Sequence, residues 1–230
     1  MFLINPYIFQ ASGDPLWNDL LAYYTADNTP NDSLGNYNLT AVNGANYGTG
    51  IINQGFNFDG VNDYYNGGNV LDFDGSTPFS FNLWVNPTSI SNDMLFWKMN
   101  PLLTTSGYIC YIYTGNLLEF ALQNSSSNRI YAKTSTAISG SVFSMITITY
   151  DGSKDVSGVK IYINGVSDTL TTIDNTLTGS TSNTENLSFG RGESSVNYFG
   201  GIMDEVGIWN KELTASEVTE LYNSGSGLQY

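Results

Sequence analysis

A loop rich in oxygen-bearing side chains, residues 27–36, is the first part of the sequence whose residue types could bind a ligand. It contains Asp27 and Asp32 together with three asparagines, and Gly35 gives the backbone freedom to turn. Calcium prefers hard oxygen ligands from carboxylates, amides and backbone carbonyls. The loop therefore predicts a calcium site with Asp27 and Asp32 as ligands. The alternative is structural, because an aspartate in such a loop also forms Asx turns with nearby backbone N–H groups.

Aromatic residues on strand-like segments form a second candidate site, in this case for a glycan. Sugars are held by aromatic rings together with hydrogen bonds from polar side chains. We expect Trp97, Tyr111 and Tyr113 to contribute, and Trp97 stands next to a predicted loop. Core packing is the alternative for each of them, because aromatic residues are common in strands.

Glycoside hydrolysis is a third possibility, and the sequence disfavours it. The reaction needs two carboxyl groups about 5 Å or about 6.5–9.5 Å apart across the scissile bond. Asp204 and Glu205 are adjacent, so on a regular strand they point to opposite faces. Asp72 and Asp74 alternate, but they lie in a turn-like stretch. The chain also has no histidine, which removes the usual general base and all histidine-based triads. We therefore predict no enzymatic activity.

The charge balance limits the possible partners. The chain has 7 basic and 21 acidic residues, and its net charge is -14. Such a chain repels phosphate backbones and anionic membrane surfaces, so we predict neither nucleic acid nor membrane as a partner. An acidic surface is compatible with divalent cations, and equally with a role in solubility alone. The single cysteine, Cys110, lies in an apolar run and is predicted to be a small buried hydrophobe.

The elements that must position these residues are short strands separated by turns. Apolar and polar residues alternate along residues 79–85 and 142–150, which is the period of a half-buried strand. Asn164-Gly165 predicts a tight hairpin, because this dipeptide tolerates the positive φ angles of a type I′ turn. Further strands are predicted at residues 20–24, 37–42, 55–59, 94–98, 108–113, 117–122, 129–133, 160–163, 187–190 and 201–209.

One helix is predicted near the end of the sequence. Thr214 is the expected N-cap, Glu217 completes a capping box and Gly225 provides a stop. Many short strands with a single short C-terminal helix predict an all-β fold of two packed antiparallel sheets. We expect one domain over residues 19–230, preceded by an apolar segment, residues 1–18, that docks against the domain or a partner.

Three segments together resemble the laminin-G-like, concanavalin A-like lectin/glucanase superfamily. They are residues 20–65, residues 79–87 with the later stretch ITYDGSKDVSGVKIYINGV, and residues 199–225, FGGIMDEVGIWNKELTASEVTELYNSG. The last is the most specific, since strand, Asp-Glu, strand, Leu-Thr and capped helix follow the order of the family. Phe143 is a departure, because the family usually has tryptophan there. The resemblance implies a jelly-roll sandwich that binds a ligand on its surface.

The resemblance also extends the calcium hypothesis. In the family the N-terminal and C-terminal strands are neighbours, and a calcium ion often sits at the loop after the first strand. This implies that Asp204 joins Asp27 and Asp32 as a third ligand.

The resemblance implies a non-enzymatic carbohydrate-binding or adhesive surface module. The apolar start with Asn5-Pro6, without a basic export signal, is similar to structural proteins of tailed bacteriophages. That similarity implies a head-fibre, decoration or tail protein at the virion surface, with an extracellular or cell-surface location as the alternative. Its partners would be a surface glycan, other virion proteins, or a second copy bound through the N-terminal segment. A purely structural decoration protein without its own ligand is the competing function.

Overall fold

A computed structural model describes residues 14–88, 93–99, 106–192 and 197–230. In these ranges the chain forms sixteen β-strands, one α-helix and three short 3-10 helices. The predicted all-β fold with one short C-terminal helix is confirmed. No helix in the described ranges is long and apolar enough to cross a membrane.

Two antiparallel sheets of eight strands each form the sandwich. Sheet A contains β1 (Leu20–Tyr24), β3 (Asn46–Thr49), β4 (Gln54–Asp59), β6 (Phe79–Pro87), β11 (Ser144–Tyr150), β12 (Val159–Ile163), β13 (Val166–Ser167) and β16 (Gly200–Trp209). Sheet B contains β2 (Thr40–Val42), β5 (Tyr64–Gly68), β7 (Met94–Met99), β8 (Gly107–Tyr113), β9 (Leu117–Ser125), β10 (Asn128–Ala137), β14 (Leu170–Asn175) and β15 (Leu187–Phe189).

The order of the strands shows how the chain crosses between the sheets. Sheet A runs β13–β12–β11–β6–β16–β4–β3, and sheet B runs β14–β10–β9–β8–β7–β15–β5–β2. One edge of β16 pairs with two strands. Its first half pairs with β4, and its second half pairs with β1. The loops that follow β1 and precede β4 therefore meet where these two strands share one edge of β16.

Side chains from the two inner faces form a core that is rich in aromatic rings. Phe81 of β6 stacks on Phe96 of β7 across the two sheets, with ring centroids 4.4 Å apart. Burying one such side chain contributes about 1.5–3 kcal/mol to the free energy of folding. Cys110 is fully buried in the same core, as the sequence predicted.

Helix α1 (Ala215–Tyr222) covers the outer face of sheet A. The predicted capping box is present: Thr214 Oγ1 accepts from Glu217 N at 3.3 Å, and Thr214 N donates to Glu217 Oε2 at 2.7 Å. Beneath the helix, Trp84 and Trp209 are buried in a second apolar cluster.

Only residues 14–18 of the predicted N-terminal docking segment, residues 1–18, are among the described ones. Leu16 is buried against the outer face of sheet A, and Trp17 stacks on Trp209 with ring centroids 6.2 Å apart. The end of the segment therefore packs on the domain. Docking by residues 1–13 lies outside the described residues and stays a prediction.

Candidate functional site

The outer face of sheet B carries a third cluster of side chains that turn away from the core. Along β8, Tyr108, Cys110 and Ile112 enter the core, and the alternate residues face outward. The rings of Tyr111 and Tyr113 meet edge to face, with centroids 5.7 Å apart, and Tyr113 is 43% exposed. The structure thus brings together two of the three predicted glycan-binding residues.

A buried carboxylate stands beside these rings. Glu119 of β9 lies directly opposite Tyr111 in the sheet. Tyr111 Oη donates to Glu119 Oε2 at 2.6 Å, and Tyr131 Oη of β10 donates to the same oxygen. The two phenolic oxygens are 2.5 Å apart. Two hydroxyls and one carboxylate oxygen therefore converge at one point on the outer face of sheet B.

Both phenols stay neutral at physiological pH. Burial, followed by the hydrogen bond to Glu119, raises the pKa of Tyr131 to about 12. The same two causes raise the pKa of Tyr111 further. Each hydroxyl donates its one hydrogen to Glu119 and keeps oxygen lone pairs that can accept a hydrogen bond from a ligand.

An arginine fixes one side of this arrangement. The guanidinium of Arg129 lies over the Tyr131 ring, 4.7 Å from its centroid. Arg129 Nε is also 3.0 Å from Asp174 Oδ2 on β14, and both side chains are 27% exposed. Such a half-exposed ion pair contributes only about 0–1 kcal/mol to stability, so its main effect is to orient the arginine. We refer to Tyr111, Tyr113, Glu119, Arg129 and Tyr131 as the tyrosine–glutamate cluster.

Trp97 lies on the same face but presents little surface. It is opposite Ile109 in the sheet and only 6% exposed, packed with Met99 and Ala121. Its indole N–H donates to Met99 O at 2.7 Å. This position suits an apolar support beside the cluster better than an exposed stacking ring, and direct contact of Trp97 with a glycan stays a prediction.

Sequence reasoning missed Glu119 and Arg129. Glu119 had a usable signal, because a charged residue inside the apolar strand LLEFAL must have a partner once it is buried. Arg129 had none, because its position depends on the pairing of β10 with β14.

The predicted calcium ligands Asp27 and Asp204 lie where β1 and β4 share the edge of β16. Asp27 Oδ1 accepts from Gln54 N at 3.0 Å, and Asp204 Oδ2 accepts from Ile52 N at 3.1 Å. A Cβ at Gly50 would stand 2.3 Å from Asp204 Oδ2, so only glycine fits there. Both carboxyl groups therefore hold the loop that leads into β4. We call the group of Asp27, Asp204 and Glu205 the carboxyl joint.

The expectation that Asp204 and Glu205 point to opposite faces of a regular strand is wrong. Glu205 has φ +48°, and the register of β16 against β6 shifts between Asp204 and Gly207. Such a β-bulge inserts one residue into the strand. Met203 and Val206, three residues apart, both enter the core, so the two acidic residues between them lie outside it.

Burial dominates the electrostatics of the carboxyl joint. It raises the pKa of Asp204 to about 8, with a further contribution from the charge of Asp27. Burial and then the charge of Asp204 raise the pKa of Glu205 well above its usual range. Gln229 Nε2 donates to Asp27 Oδ2 at 3.2 Å and to Glu205 Oε1 at 3.0 Å, which ties the end of the chain to the joint.

Asp32 has the structural role that the sequence left open. Its Oδ1 accepts from Tyr23 N at 2.8 Å and from Leu34 N at 3.2 Å. Its Oδ2 accepts from Asn36 N at 2.9 Å and from Tyr37 N at 3.2 Å. Four backbone donors thus occupy a carboxylate that is only 4% exposed.

These contacts do not fit one calcium ion held by Asp27, Asp32 and Asp204 together. Asp32 is engaged by backbone donors, whereas the other two belong to the carboxyl joint. In the part of the chain that the structure describes, no three histidine, cysteine or acidic side chains group as a metal site requires. Calcium binding stays a prediction.

The fold has well-matched counterparts among solved structures. Domain 4 of AbnA, a GH43 extracellular arabinanase from Geobacillus stearothermophilus, in complex with arabinotriose, has a TM-score of 0.66 and 24% identity. The match covers 88% of this chain and 97% of that domain. The binding domain of Paraclostridial Mosquitocidal Protein 1 has a TM-score of 0.73 and 20% identity, over 91% of this chain and 53% of that one.

A third counterpart is the binding domain of botulinum neurotoxin DC in complex with SialylT. Its TM-score is 0.65 at 16% identity, over 91% of this chain and 52% of that one. The chain therefore spans about half the length of the two toxin binding domains. At these identities the likeness shows the fold alone.

The sequence matches a family model, although no individual curated protein matches the sequence. The family model described as the concanavalin A-like lectin/glucanases superfamily matches residues 58–219, which is most of the chain. Together with the two antiparallel sheets, this match shows that the chain belongs to the concanavalin A-like lectin/glucanases superfamily.

Proposed function

We propose that this protein is a non-enzymatic carbohydrate-binding module and that the tyrosine–glutamate cluster binds the glycan. One observation carries the proposal: the hydroxyls of Tyr111 and Tyr131 converge on Glu119 beside the exposed ring of Tyr113. A sugar offers an apolar C–H face to an aromatic ring and hydroxyl groups to polar side chains. The cluster supplies both kinds of partner within one small area.

The two outer faces of the sandwich differ in a way that supports this location. Helix α1 and the segment around Leu16 cover the outer face of sheet A. The outer face of sheet B instead holds Tyr113, Arg129 and Asp174 at least partly exposed. A long glycan chain therefore finds ring and hydrogen-bonding surface on sheet B.

Two of the solved counterparts support a carbohydrate as the ligand. Domain 4 of the arabinanase was solved with arabinotriose, and the botulinum neurotoxin DC binding domain with SialylT. The same toxin domain was also solved with rat synaptotagmin II, so a protein ligand is the competing outcome.

Absence of turnover is part of the proposal. Glu119 Oε2 is engaged by two phenols, and Glu205 is buried beneath Tyr23 and Gln229, which both hydrogen-bond to it. Neither carboxyl group faces a second one across an open cleft, as glycoside hydrolysis would require.

The test is glycan-array screening followed by calorimetry with the best soluble oligosaccharide, with arabinotriose included. We expect Tyr113→Ala and Glu119→Gln to weaken binding at least tenfold, about 1.4 kcal/mol. Tyr64→Ala is the matched control. Tyr64 lies on β5, away from the cluster, and its ring also contacts an arginine, Arg191, whose guanidinium is 4.6 Å from the ring centroid. Full affinity in both cluster variants, or no binding to any glycan, would overturn the proposal.

Calcium binding and a virion setting are further proposals that rest on the sequence. The proximity of Asp27 and Asp204 supports the first, with these two residues as ligands. The virion setting would make the chain a head-fibre, decoration or tail protein, and this proposal rests on residues 1–13, which lie outside the described residues.

A purely structural role is favoured instead if no glycan binds and deletion of residues 1–12 abolishes self-association.

A further inference from the structure

A groove separate from the tyrosine–glutamate cluster opens at the rim of the sandwich. It has a volume of about 320 Å³, which is within the range of small-molecule sites. Three parts of the chain form it: the region of β1 and its following loop, the link from β5 to β6, and the residue after β16. Its lining residues are Leu21, Tyr37, Leu71, Asp72, Phe73, Asp74, Thr77 and Asn210.

The groove has an apolar floor and a polar rim. Leu71 and Phe73 are buried in the core at 7% and 4% exposure, and the ring of Tyr37 packs against that core. Asp72 and Asn210 are exposed. This distribution matches a sugar ring, whose C–H face is apolar and whose hydroxyls project from its edge.

The polar rim is held in place from behind. Asp72 Oδ1 accepts from Asn183 N at 2.9 Å, and Asp74 Oδ2 accepts from Ser180 Oγ at 3.2 Å. Thr77 N donates to Asp74 O at 2.9 Å. A carboxylate has about four acceptor positions, so each retains capacity for ligand hydroxyls. Because the rim is already ordered, binding loses little side-chain entropy.

The floor is held as firmly as the rim. Tyr37 N donates to Asp32 Oδ2 at 3.2 Å, and Tyr37 O accepts from Tyr24 Oη at 2.7 Å. Leu71 has φ +53°, which is costly for a leucine, and Tyr108 Oη donates to its carbonyl oxygen at 2.8 Å. The backbone beneath the groove is thus fixed before any ligand arrives.

The negative charge of the groove favours neutral ligands over anionic ones. Two of the eight lining residues are aspartates and none is basic. An anionic sugar or a phosphate would be repelled, whereas the hydroxyls of a neutral sugar can donate to the carboxylates.

We propose that this groove is a second binding site, for one unit of a neutral sugar. The sugar ring would lie on the partly exposed ring of Tyr37, which Leu71 and Phe73 support from the core. The sugar hydroxyls would bond to Asp72 and Asn210. The site goes beyond the proposed function, since it lies at the rim and uses none of the cluster residues. Two sites on one rigid sandwich would let a polymeric glycan bind bivalently.

The test is an NMR titration of backbone amides with glucose, galactose and arabinose up to tens of millimolar, and with N-acetylneuraminic acid as the anionic comparison. At least one neutral sugar should shift the amides of Leu71, Phe73 and Thr77. Asp72→Asn should weaken that response at least fivefold and Tyr37→Ala should abolish it. N-acetylneuraminic acid should give no response.

Variants at the two sites separate the two proposals. Tyr113→Ala should leave the response of the groove unchanged. Loss of that response in Tyr113→Ala, or no shift at the groove with any neutral sugar, overturns the second site. A response at the groove with none at Tyr111 or Tyr131 would overturn the cluster and leave the second site standing.

Discussion

Tyr23 carries one hydroxyl hydrogen, yet its oxygen lies within hydrogen-bonding distance of two acceptors. Tyr23 Oη is 2.5 Å from Glu205 Oε2 and 2.8 Å from Leu228 O. If Glu205 holds a proton, it donates to Tyr23 and Tyr23 donates to Leu228, so that every group is satisfied. The raised pKa of Glu205 agrees with this arrangement. One proton in the carboxyl joint thus helps to secure the end of the chain.

The carboxyl joint makes stability depend on pH in an unusual direction. The pKa of Asp204 is about 8 in the folded state, so the folded chain keeps a proton that the unfolded chain loses near its ordinary value, 3.8. Stability therefore falls as pH rises between these values. In EDTA, we expect the free energy of unfolding to drop by about 1–3 kcal/mol from pH 5 to pH 8.

Urea unfolding at pH 5, 6.5 and 8 measures this dependence. Asp204→Asn cannot ionise and should reduce the slope, leaving the part that Glu205 contributes. Stability that rises over this interval, or an equal slope in wild type and Asp204→Asn, would contradict the assignment.

The Asp32 carboxylate should contribute strongly to the stability of the fold. Its replacement by alanine leaves four backbone N–H groups without their acceptor. We expect Asp32→Ala to cost about 2–4 kcal/mol in chemical denaturation, and Asp32→Asn to cost less because one carbonyl oxygen remains. A loss below about 0.5 kcal/mol for Asp32→Ala would show that the loop does not depend on this carboxylate.

Calcium gives a third test at the residue scale. If Asp27 and Asp204 hold an ion, millimolar calcium should raise Tm relative to EDTA, because a ligand that binds only the folded state stabilises it. Asp27→Asn should abolish that increment, while Asp32→Asn should lower Tm in both conditions and leave the increment intact. An unchanged Tm in wild type would remove calcium from consideration.

Among the elements, the strands with alternating side chains could be predicted, and those fixed by their neighbours could not. Strand β1 (Leu20–Tyr24) has the predicted bounds, and the Asn164-Gly165 hairpin joins β12 and β13 with φ angles of 53° and 79°. Strands β3 and β5 were among those missed, since NYGT and YYNGG contain residues of low strand propensity. They form because β4, β2 and β15 pair with them.

The candidate sites, too, could be predicted only where a local pattern in the sequence determines them. Tyr111 and Tyr113 could be found as aromatic residues on one predicted strand, where residues two apart share a face. The convergence on Glu119 needs the register of three strands, β8, β9 and β10, which no local pattern contains. The bulge at Glu205 breaks the alternation on which the prediction for Asp204 and Glu205 rested.

Helix α1 offers a test at this scale. Thr214→Ala removes the side-chain oxygen that accepts from Glu217 N, and we expect a loss of about 0.5–2 kcal/mol in the free energy of unfolding. Thr219→Ala is the matched control inside the helix and should have little effect or a slightly stabilising one, because alanine is the better helix former. Equal losses in the two variants would contradict the role of the cap.

At the scale of the whole molecule, the net charge of -14 acts on any ligand that approaches. Neutral glycans should bind with an affinity that hardly changes with salt. Sialylated glycans should bind more weakly at low ionic strength and recover as salt screens the repulsion. Calorimetry at 20 and 300 mM salt, or on-rates from surface plasmon resonance, would measure this difference. Tighter binding of sialylated glycans at low salt would show that local contacts outweigh the overall field.

Trp17 and Tyr230 touch, with ring centroids 5.3 Å apart, and both pack on the helix-covered side of the sandwich. The described chain thus enters and leaves on one side, opposite the tyrosine–glutamate cluster. A fusion partner attached after Tyr230 would therefore lie on the helix-covered side of the domain. Immobilising the protein through Tyr230 should leave the outer face of sheet B exposed to the surrounding medium.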